Sequence, residues 1–444
     1  MREHHDKNNI APEKFRAQLN LLNDCARKVL ASGFGRQMPA DRILATYFRE
    51  NRKCGSRDRA FISETIYASL RFWGFIRQYL PADRLAELES GSILLTAREL
   101  SALLMAGAFV SGDQANASAI ASACSMPTLP HALNNPCARA NQMATYFNCD
   151  LRITDRDLLP AWISEKLPEN LDNENFLKML SSRPPMWIRM QTDTPEKVID
   201  ELRNSGAEVT PHNTLPDAVE VRAKINLYTL ESFKAGLFEI QDLASQCISI
   251  VAAPKPGERW LDPCAGAGGK TLHLAQLMKR KGTVQAGDIR AKKLDDLRLR
   301  ARRAGFPNIV TKAHDGGVWK GKHLFDGVLV DAPCSCSGVW RRNPGAQWKL
   351  KPEDISELSN TQKQILENYA NAVRPGGVLV YATCSLFDAE NCEVVQKFLA
   401  GHEEYKLDPF ENPLTGKIAP GMLRIDSTDG NCDALFMAKM RKVK

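Results

Sequence analysis

Two short cysteine motifs, Asp331-Ala332-Pro333-Cys334-Ser335 and Thr383-Cys384-Ser385, follow a glycine-rich stretch at Asp262 to Thr271. Together they point to carbon methylation of a pyrimidine. C5 of cytosine is a poor nucleophile until a thiolate adds to C6 and makes C5 enamine-like, able to attack an electrophilic methyl group. Afterwards the C5 proton must leave and the enzyme must be released. One cysteine is required for the attack, and a second ionisable group nearby helps to resolve the adduct.

The stretch Asp262-Pro263-Cys264-Ala265-Gly266-Ala267-Gly268-Gly269-Lys270-Thr271 fails as a phosphate-binding P-loop, because Cys264 stands where the first glycine belongs. It fails as a dinucleotide fingerprint too, since residue 271 is threonine. What remains is a loop whose missing side chains let a nucleoside approach the backbone, as S-adenosylmethionine requires. Asp288 lies about twenty residues on, where a carboxylate can accept from both ribose hydroxyls; it would equally cap a helix beginning at Ala291. Asp315-Gly316-Gly317 sits where an adenine amino group would be read, or is a simple Asp-Gly turn.

These residues need strands to hold them. From Pro256 onward, strand candidates at Arg259 to Asp262, Thr283 to Asp288, Asn308 to Lys312, Phe325 to Asp331 and Val378 to Thr383 alternate with helices. The pattern predicts an α/β fold with a doubly wound, Rossmann-like, mainly parallel sheet, in which ligands sit beyond the carboxyl ends of the strands. Asp262, Asp288, Asp331 and Cys384 all fall at or just past such ends.

Upstream, the segments Ala11 to Leu30, Ala40 to Glu50, Arg59 to Leu80 and Thr96 to Val110 carry apolar residues at helical intervals and predict a bundle. Arg49, Arg52, Lys53, Arg57 and Arg59 crowd one stretch of it, either as a solvated loop or as an RNA phosphate patch. Ser125 to Pro136 reads as a connection. A strand at Trp187 to Met190, a helix from Pro195 to about Asn204 stopped by Gly206, and a strand at Ala218 to Arg222 suggest a small mixed unit.

Composition narrows the class. Lys and Arg outnumber Asp and Glu by 59 to 52 in 444 residues, a weak bias toward a polyanionic partner. The 12 cysteines lack framework spacing and the first residues lack a signal-peptide core, so reduced thiols in a soluble cytoplasmic protein are expected. No apolar run reaches the ~18 residues of a membrane span. Cys334-x-Cys336 has no second Cys or His pair at suitable spacing, so no metal is expected.

In order and separation, Asp262 to Thr271, Asp315, Asp331 to Ser335 and Thr383 to Ser385 resemble the Sun/RsmB family of RNA 5-methylcytosine methyltransferases, across roughly Gly236 to Lys439. Ser56-Arg57-Asp58-Arg59 through Arg71 is similar to the helical NusB-like RNA-binding domain of RsmB-type members. The resemblance implies Cys384 as the nucleophile, Cys334 as the group assisting release, Asp331 holding the cytosine or cofactor region, and Lys270 orienting the base. It implies S-adenosylmethionine bound by Cys264, Ala265, Gly266, Ala267, Gly268, Gly269, Lys270, Asp288, Asp315 and Asp331. The implied substrate is RNA, ribosomal RNA before tRNA, acted on by a monomer. A non-catalytic RNA-binding assembly factor on the same fold is the alternative from another class.

On this reading residues 1–137 form the NusB-like domain, 138–183 a helical connection, 184–235 the small α/β subdomain and 236–444 the methyltransferase domain. Three positions depart from the family pattern: Ala267 for proline, Cys336 for glycine, and Asp433-Ala434 for Asp-Gly near the last strand. Trp340-Arg341-Arg342-Asn343-Pro344 and Trp348 combine cations with stackable rings and are expected to border the active site. Lys292, Lys293, Arg300, Arg302 and Arg303 are expected on the solvated face of the helix from Ala291 to Ala304.

Overall fold

The computed structural model describes residues 12–34, 39–169, 171, 174–223, 225–321 and 325–443. Its chain divides into two compact units, Met1–Ser182 with Trp340–Leu350, and Arg183–Val339 with Lys351–Lys444.

The first unit is helical. Its central helix, Ala97–Ser111, is started by Thr96, whose hydroxyl accepts from the Glu99 amide while Glu99 accepts from the Thr96 amide, and is ended by left-handed Gly112. Leu100, Leu103, Leu104, Met105, Phe109 and Val110 of this helix are buried. Gly107 lets the helix Ser56–Arg71 cross closely, since a Cβ there would lie 2.4 Å from Ser69 Oγ. The predicted helix from Arg59 to Leu80 is broken at Phe72, giving Ser56–Arg71 and Trp73–Ile76. One straight helix buries one stripe, whereas Phe72, Trp73, Phe75 and Ile76 are all buried. The predicted first helix is Pro12–Phe34; Ala11 lies outside the described residues.

Trp340–Leu350 belongs to this unit. Trp340 and Arg341 are buried, Arg341 donates to Ser182 Oγ at 2.9 Å, and the Arg77 guanidinium covers the Trp348 ring at 4.5 Å. Trp340, Arg341 and Trp348 are thus engaged in packing, whereas Arg342 is exposed.

The second unit holds two larger sheets and a two-stranded one. Strands β1 (Met186–Met190), β2 (Glu208–Pro211), β3 (Ala218–Arg222) and β4 (Phe238–Ile240) form an antiparallel sheet in the order β2-β3-β1-β4. The helix Pro195–Asn204 packs Val198 and Leu202 into its core and stops at left-handed Gly206. The main sheet comprises β5 (Arg259–Asp262), β6 (Thr283–Asp288), β7 (Ile309–Ala313), β8 (Phe325–Asp331), β9 (Val373–Thr383) and β10 (Tyr405–Leu407), together with β13 (Met422–Ile425) and β14 (Leu435–Lys442). β11 (Phe410–Glu411) and β12 (Ile418–Ala419) pair separately.

The main sheet runs β10-β14-β9-β8-β5-β6-β7, with β13 on β14. β7, β6, β5, β8 and β9 are mutually parallel and β14 is antiparallel to β9. Val328, Leu329 and Val330 of β8, and Leu379, Val380 and Tyr381 of β9, are fully buried, as strands covered on both faces require. The chain winds from β5 to one side through β6 and β7, then returns to place β8 on the other. That reversal opens a crevice at the carboxyl ends of β5 and β8. At Ala434 the last strand still closes normally, with Phe436 opposite Thr383.

The helix Ala291–Arg303 buries Leu294, Leu297 and Ala301 as expected, but two of its cations are half-buried in ion pairs. Arg300 and Arg303 both pair with Glu239 of β4, a carboxylate only 3% exposed; the Arg300 bond is 2.8 Å. Arg300 also donates to the Ala267 carbonyl at 2.7 Å, tying the glycine-rich loop to the small sheet. A buried carboxylate needs such partners, and only the folded chain supplies them. Glu239→Ala is therefore expected to lower stability by about 2–3 kcal/mol in urea unfolding, short of the ~3–5 for a fully buried pair because the arginines keep some solvent.

Candidate active site

Adjacent parallel strands bring the two cysteine motifs together. β8 and β9 pair with Asp331 opposite Ala382, so the loops that follow them emerge side by side. Cys334 and Cys384, fifty residues apart in the chain, stand with their sulfurs 3.4 Å apart. Cys336 joins them: the three sulfurs all lie within 4.8 Å of one another, and Cys336 is the exposed one. It sits at φ 55°, a left-handed conformation that favours glycine. The thiols behave as one hydrogen-bonded group. Hydrogen bonds donated by Cys334 and then Cys384 draw Cys336 down to about 3, whereas Cys384, donating first to Cys334 and then to Cys336, is held well above the ordinary thiol value. Cys334 is likewise raised, chiefly by its bond to Cys336.

A single buried carboxylate fastens both loops. Glu390, with no exposed surface, accepts from the Ser335 amide at 2.9 Å, from Gln362 at 2.9 Å and from the Ser385 hydroxyl at 2.5 Å. Gln362 also donates to the Pro333 carbonyl, and Asn391 to the Ser385 carbonyl. The Gly338 amide donates to the Cys384 carbonyl at 2.8 Å.

Lys270, from the helix Gly269–Leu277, donates to Asp331 at 2.6 Å. Burial alone would lower the lysine's pKa, but the charge and hydrogen bond of Asp331 outweigh it and hold it above the usual value. One turn away, Asp262 accepts from the Thr271 hydroxyl at 2.7 Å while its other oxygen is buried without a partner. Desolvation pushes this carboxyl up to about 7, opposed by the Thr271 bond and reinforced by Asp331.

The glycine-rich loop leaves backbone open. A Cβ at Gly266 or Gly269 would meet nothing within 4 Å, whereas at Gly268, φ 91°, it would lie 2.6 Å from Leu297. The Asp288 carboxylate accepts from the Gly266 amide at 2.9 Å and from Arg290, through its amide and guanidinium, which together hold its pKa down against burial. The helix cap is Arg290, not Asp288. Asp315 is an exposed turn residue whose carboxylate accepts from the Gly317 amide. Beside it, His314 bonds the Pro263 carbonyl at 2.8 Å through Nε2 and accepts from the Gly316 amide through Nδ1. Nε2 must therefore carry the proton. Cys264 and Ala265 lie at the crevice end of β5, and burial raises the Cys264 thiol. An open backbone cradle, flanked by carboxylates at three strand ends and containing a buried carboxylate oxygen without a partner, fits a cationic nucleoside.

The family model for 16S rRNA methyltransferase RsmB/F matches residues 249–441. Ribosomal RNA small subunit methyltransferase B of Salmonella paratyphi A is 33% identical over 294 residues, which are 65% of this chain and 67% of that protein. The Salmonella typhi protein of the same name matches with the same identity and coverage. The chain belongs to the RsmB/F methyltransferase family.

Its fold agrees. The crystal structure of PH0851 superposes with a TM-score of 0.74 at 26% identity, covering 98% of this chain and all of that one. NSun6 from Pyrococcus horikoshii, solved with SFG, an S-adenosylmethionine analogue, has the same fold, with a TM-score of 0.55 at 21% identity over 64% of this chain and 98% of that one. As an RsmB/F member the protein is an RNA methyltransferase whose methyl donor is S-adenosylmethionine.

Glu390, Gln362 and His314 carry no motif and were missed in the sequence. The Asp388-Ala389-Glu390-Asn391 stretch shortly after Thr383-Cys384-Ser385 is the one signal that could have drawn attention to the first. Glu390→Ala should remove the acceptor from both loops, costing about 2–4 kcal/mol of stability and lowering kcat about 100-fold through misplacement. S-adenosylmethionine affinity by calorimetry should stay unchanged. Asp262 adds a pH signature. Its folded pKa of about 7 exceeds the ordinary 3.8, so the folded state holds the proton more tightly and this group's contribution to stability declines as pH rises from about 4 to 7. Asp262→Asn should flatten that decline in unfolding curves taken across the window.

Proposed function

We propose that this protein transfers a methyl group from S-adenosylmethionine to C5 of a cytosine in ribosomal RNA, through a covalent bond between Cys384 and C6. The observation that carries the reading is the convergence of Cys334 and Cys384 at 3.4 Å in the same strand-end crevice as the Lys270–Asp331 pair. Matched relatives named for methylation of small-subunit ribosomal RNA support the substrate class. Cytoplasmic residence follows from that substrate; no helix among the described residues is long and apolar enough to cross a membrane.

Residues Cys264 to Lys270, Asp288, Asp315 and Asp331 would hold the cofactor, with Arg290 yielding the Asp288 carboxylate to the ribose. When bound, S-adenosylmethionine supplies an electrophilic methyl group. The protein does the rest. Cys384 must lose its proton to solvent water before it can attack. Its sulfur then bonds C6, and the displaced electron pair moves toward C5. Lys270 and Asp331, fixed against each other, orient the ring and stabilise the charge that develops on it. Once C5 is methylated its proton is removed, the C6–S bond breaks and its electrons return to sulfur. Cys334, whose sulfur lies 3.4 Å from that of Cys384, assists that release.

Addition and elimination need different groups, so they should fail separately. Cys384→Ala is expected to abolish both methylation and the protein–RNA adduct on denaturing gels, whereas Cys334→Ala should accumulate the adduct. Adducts that survive loss of Cys384 and vanish with Cys334 would reverse the two roles.

The helical unit is the proposed RNA-binding part. Arg49, Arg52, Lys53, Arg57 and Arg59 are all exposed, and among the described residues none forms an ion pair. Neutralising these five cations should weaken RNA binding and reduce the slope of log K against log salt by up to ~0.7–0.9 per lost phosphate contact. Cofactor affinity should not move. Equal salt slopes would make the cluster a solvated surface only.

A further inference from the structure

Cys336 is absorbed by neither the attack nor the release step, yet it completes a cluster of three thiols. Among the described residues, Cys334, Cys336 and Cys384 are the one group of three or more metal-ligating side chains whose donor atoms converge. The expectation of no metal rested on spacing within one segment. The structure supplies the third sulfur from a different strand.

We infer that Cys334, Cys336 and Cys384 form a binding site for a soft, thiophilic metal ion, monovalent copper before zinc, whose occupancy blocks the nucleophile. An ion bonded to three sulfurs at ~2.3 Å spaces them ~3.8–4.0 Å apart. The present spacings, 3.4 Å for Cys334 and Cys384 and at most 4.8 Å for any pair, bracket that range, so small side-chain rotations suffice. The donor set is all sulfur, with no histidine or carboxylate among the ligating atoms, which selects soft ions over magnesium, calcium or manganese. Three ligands without a fourth suit three-coordinate monovalent copper; zinc would have to add water, which the exposed Cys336 side would admit.

The frame is built to hold sulfur positions. Glu390 fixes the Ser335 amide and the Ser385 hydroxyl, each next to a ligand, so the two loops cannot drift apart. The Lys270 ammonium, which interacts with Cys384 and Cys336, offsets the net negative charge of a three-thiolate complex. Cys336 is exposed, giving an ion a route of entry. Binding displaces the thiol protons and occupies the sulfur of Cys384, so metal and RNA adduct are mutually exclusive. This exclusion rests on the proposed role of Cys384; binding of the ion does not.

The test uses the full chain, reduced and anaerobic, titrated with Cu(I) against bathocuproine disulfonate, alongside Cys336→Gly. Glycine suits the φ 55° backbone, so the variant should fold and retain methyl transfer. The wild type is expected to take up one tightly held Cu(I). Cys336→Gly should weaken that binding by more than the ~10–100-fold typical of losing a group that merely supports a ligand. One equivalent of Cu(I) should also suppress methyl transfer by the wild type and spare the variant, with chelator restoring activity. Equal Cu(I) affinity in the two proteins, or tight uptake of zinc with none of copper, would overturn the assignment. Uptake lost in the variant without effect on wild-type methyl transfer would leave the metal site standing and sink the role of Cys384 instead.

Discussion

One buried carboxylate sets the spacing on which the chemistry depends. Glu390 has no contact with solvent and spends both oxygens on the loops that follow β8 and β9. Sheet pairing brings those loops to the same edge, but pairing alone fixes backbone only as far as Asp331 and Thr383. Beyond the last ladder bond a loop needs other anchors, and an ionised acceptor in a low-dielectric interior is a strong one. Gln362 and Asn391 then hold the carbonyls on either side. The sulfur positions are a consequence of this hydrogen-bonded frame.

The same principle runs through the cofactor side. Arg300 grips the Ala267 carbonyl while Glu239 grips Arg300, so the shape of the glycine-rich loop depends on a strand of the small sheet. Lys270 and Asp331 restrain each other, and Asp262 is stiffened by Thr271. Each reactive side chain thus has a partner whose own position is set by packing, which is what preorganisation means in physical terms.

What could be read in the sequence was what depends on local pattern. The strands Arg259–Asp262, Thr283–Asp288 and Phe325–Asp331 were legible because each is a short apolar run ending in an aspartate beside a turn. The doubly wound order followed from alternation with helices. The two cysteine motifs were legible because their chemistry is specific. Hidden were the features made by residues far apart in the chain: Glu390 beneath both loops, Glu239 drawing Arg300 and Arg303 off the solvated face, and Cys384 completing a trio with Cys334 and Cys336. The helix break at Phe72 was hidden for another reason. Periodicity reports one buried stripe, and four consecutively clustered apolar residues that must all be buried overrule it.

The path of the chain between the two cysteines has a practical consequence for anyone dissecting this protein. After Cys334 the polypeptide leaves the methyltransferase unit, contributes Trp340–Leu350 to the helical unit, and returns before β9. The two units are therefore stitched by three crossings rather than joined by one linker. Deleting everything up to Ser182 would strip Arg341 of Ser182 and Trp348 of Arg77, leaving two tryptophans on a catalytic fragment without the helices they pack against. Such a fragment would be poorly soluble even with its sheet intact, and insolubility alone would say nothing about whether the catalytic fold can stand by itself.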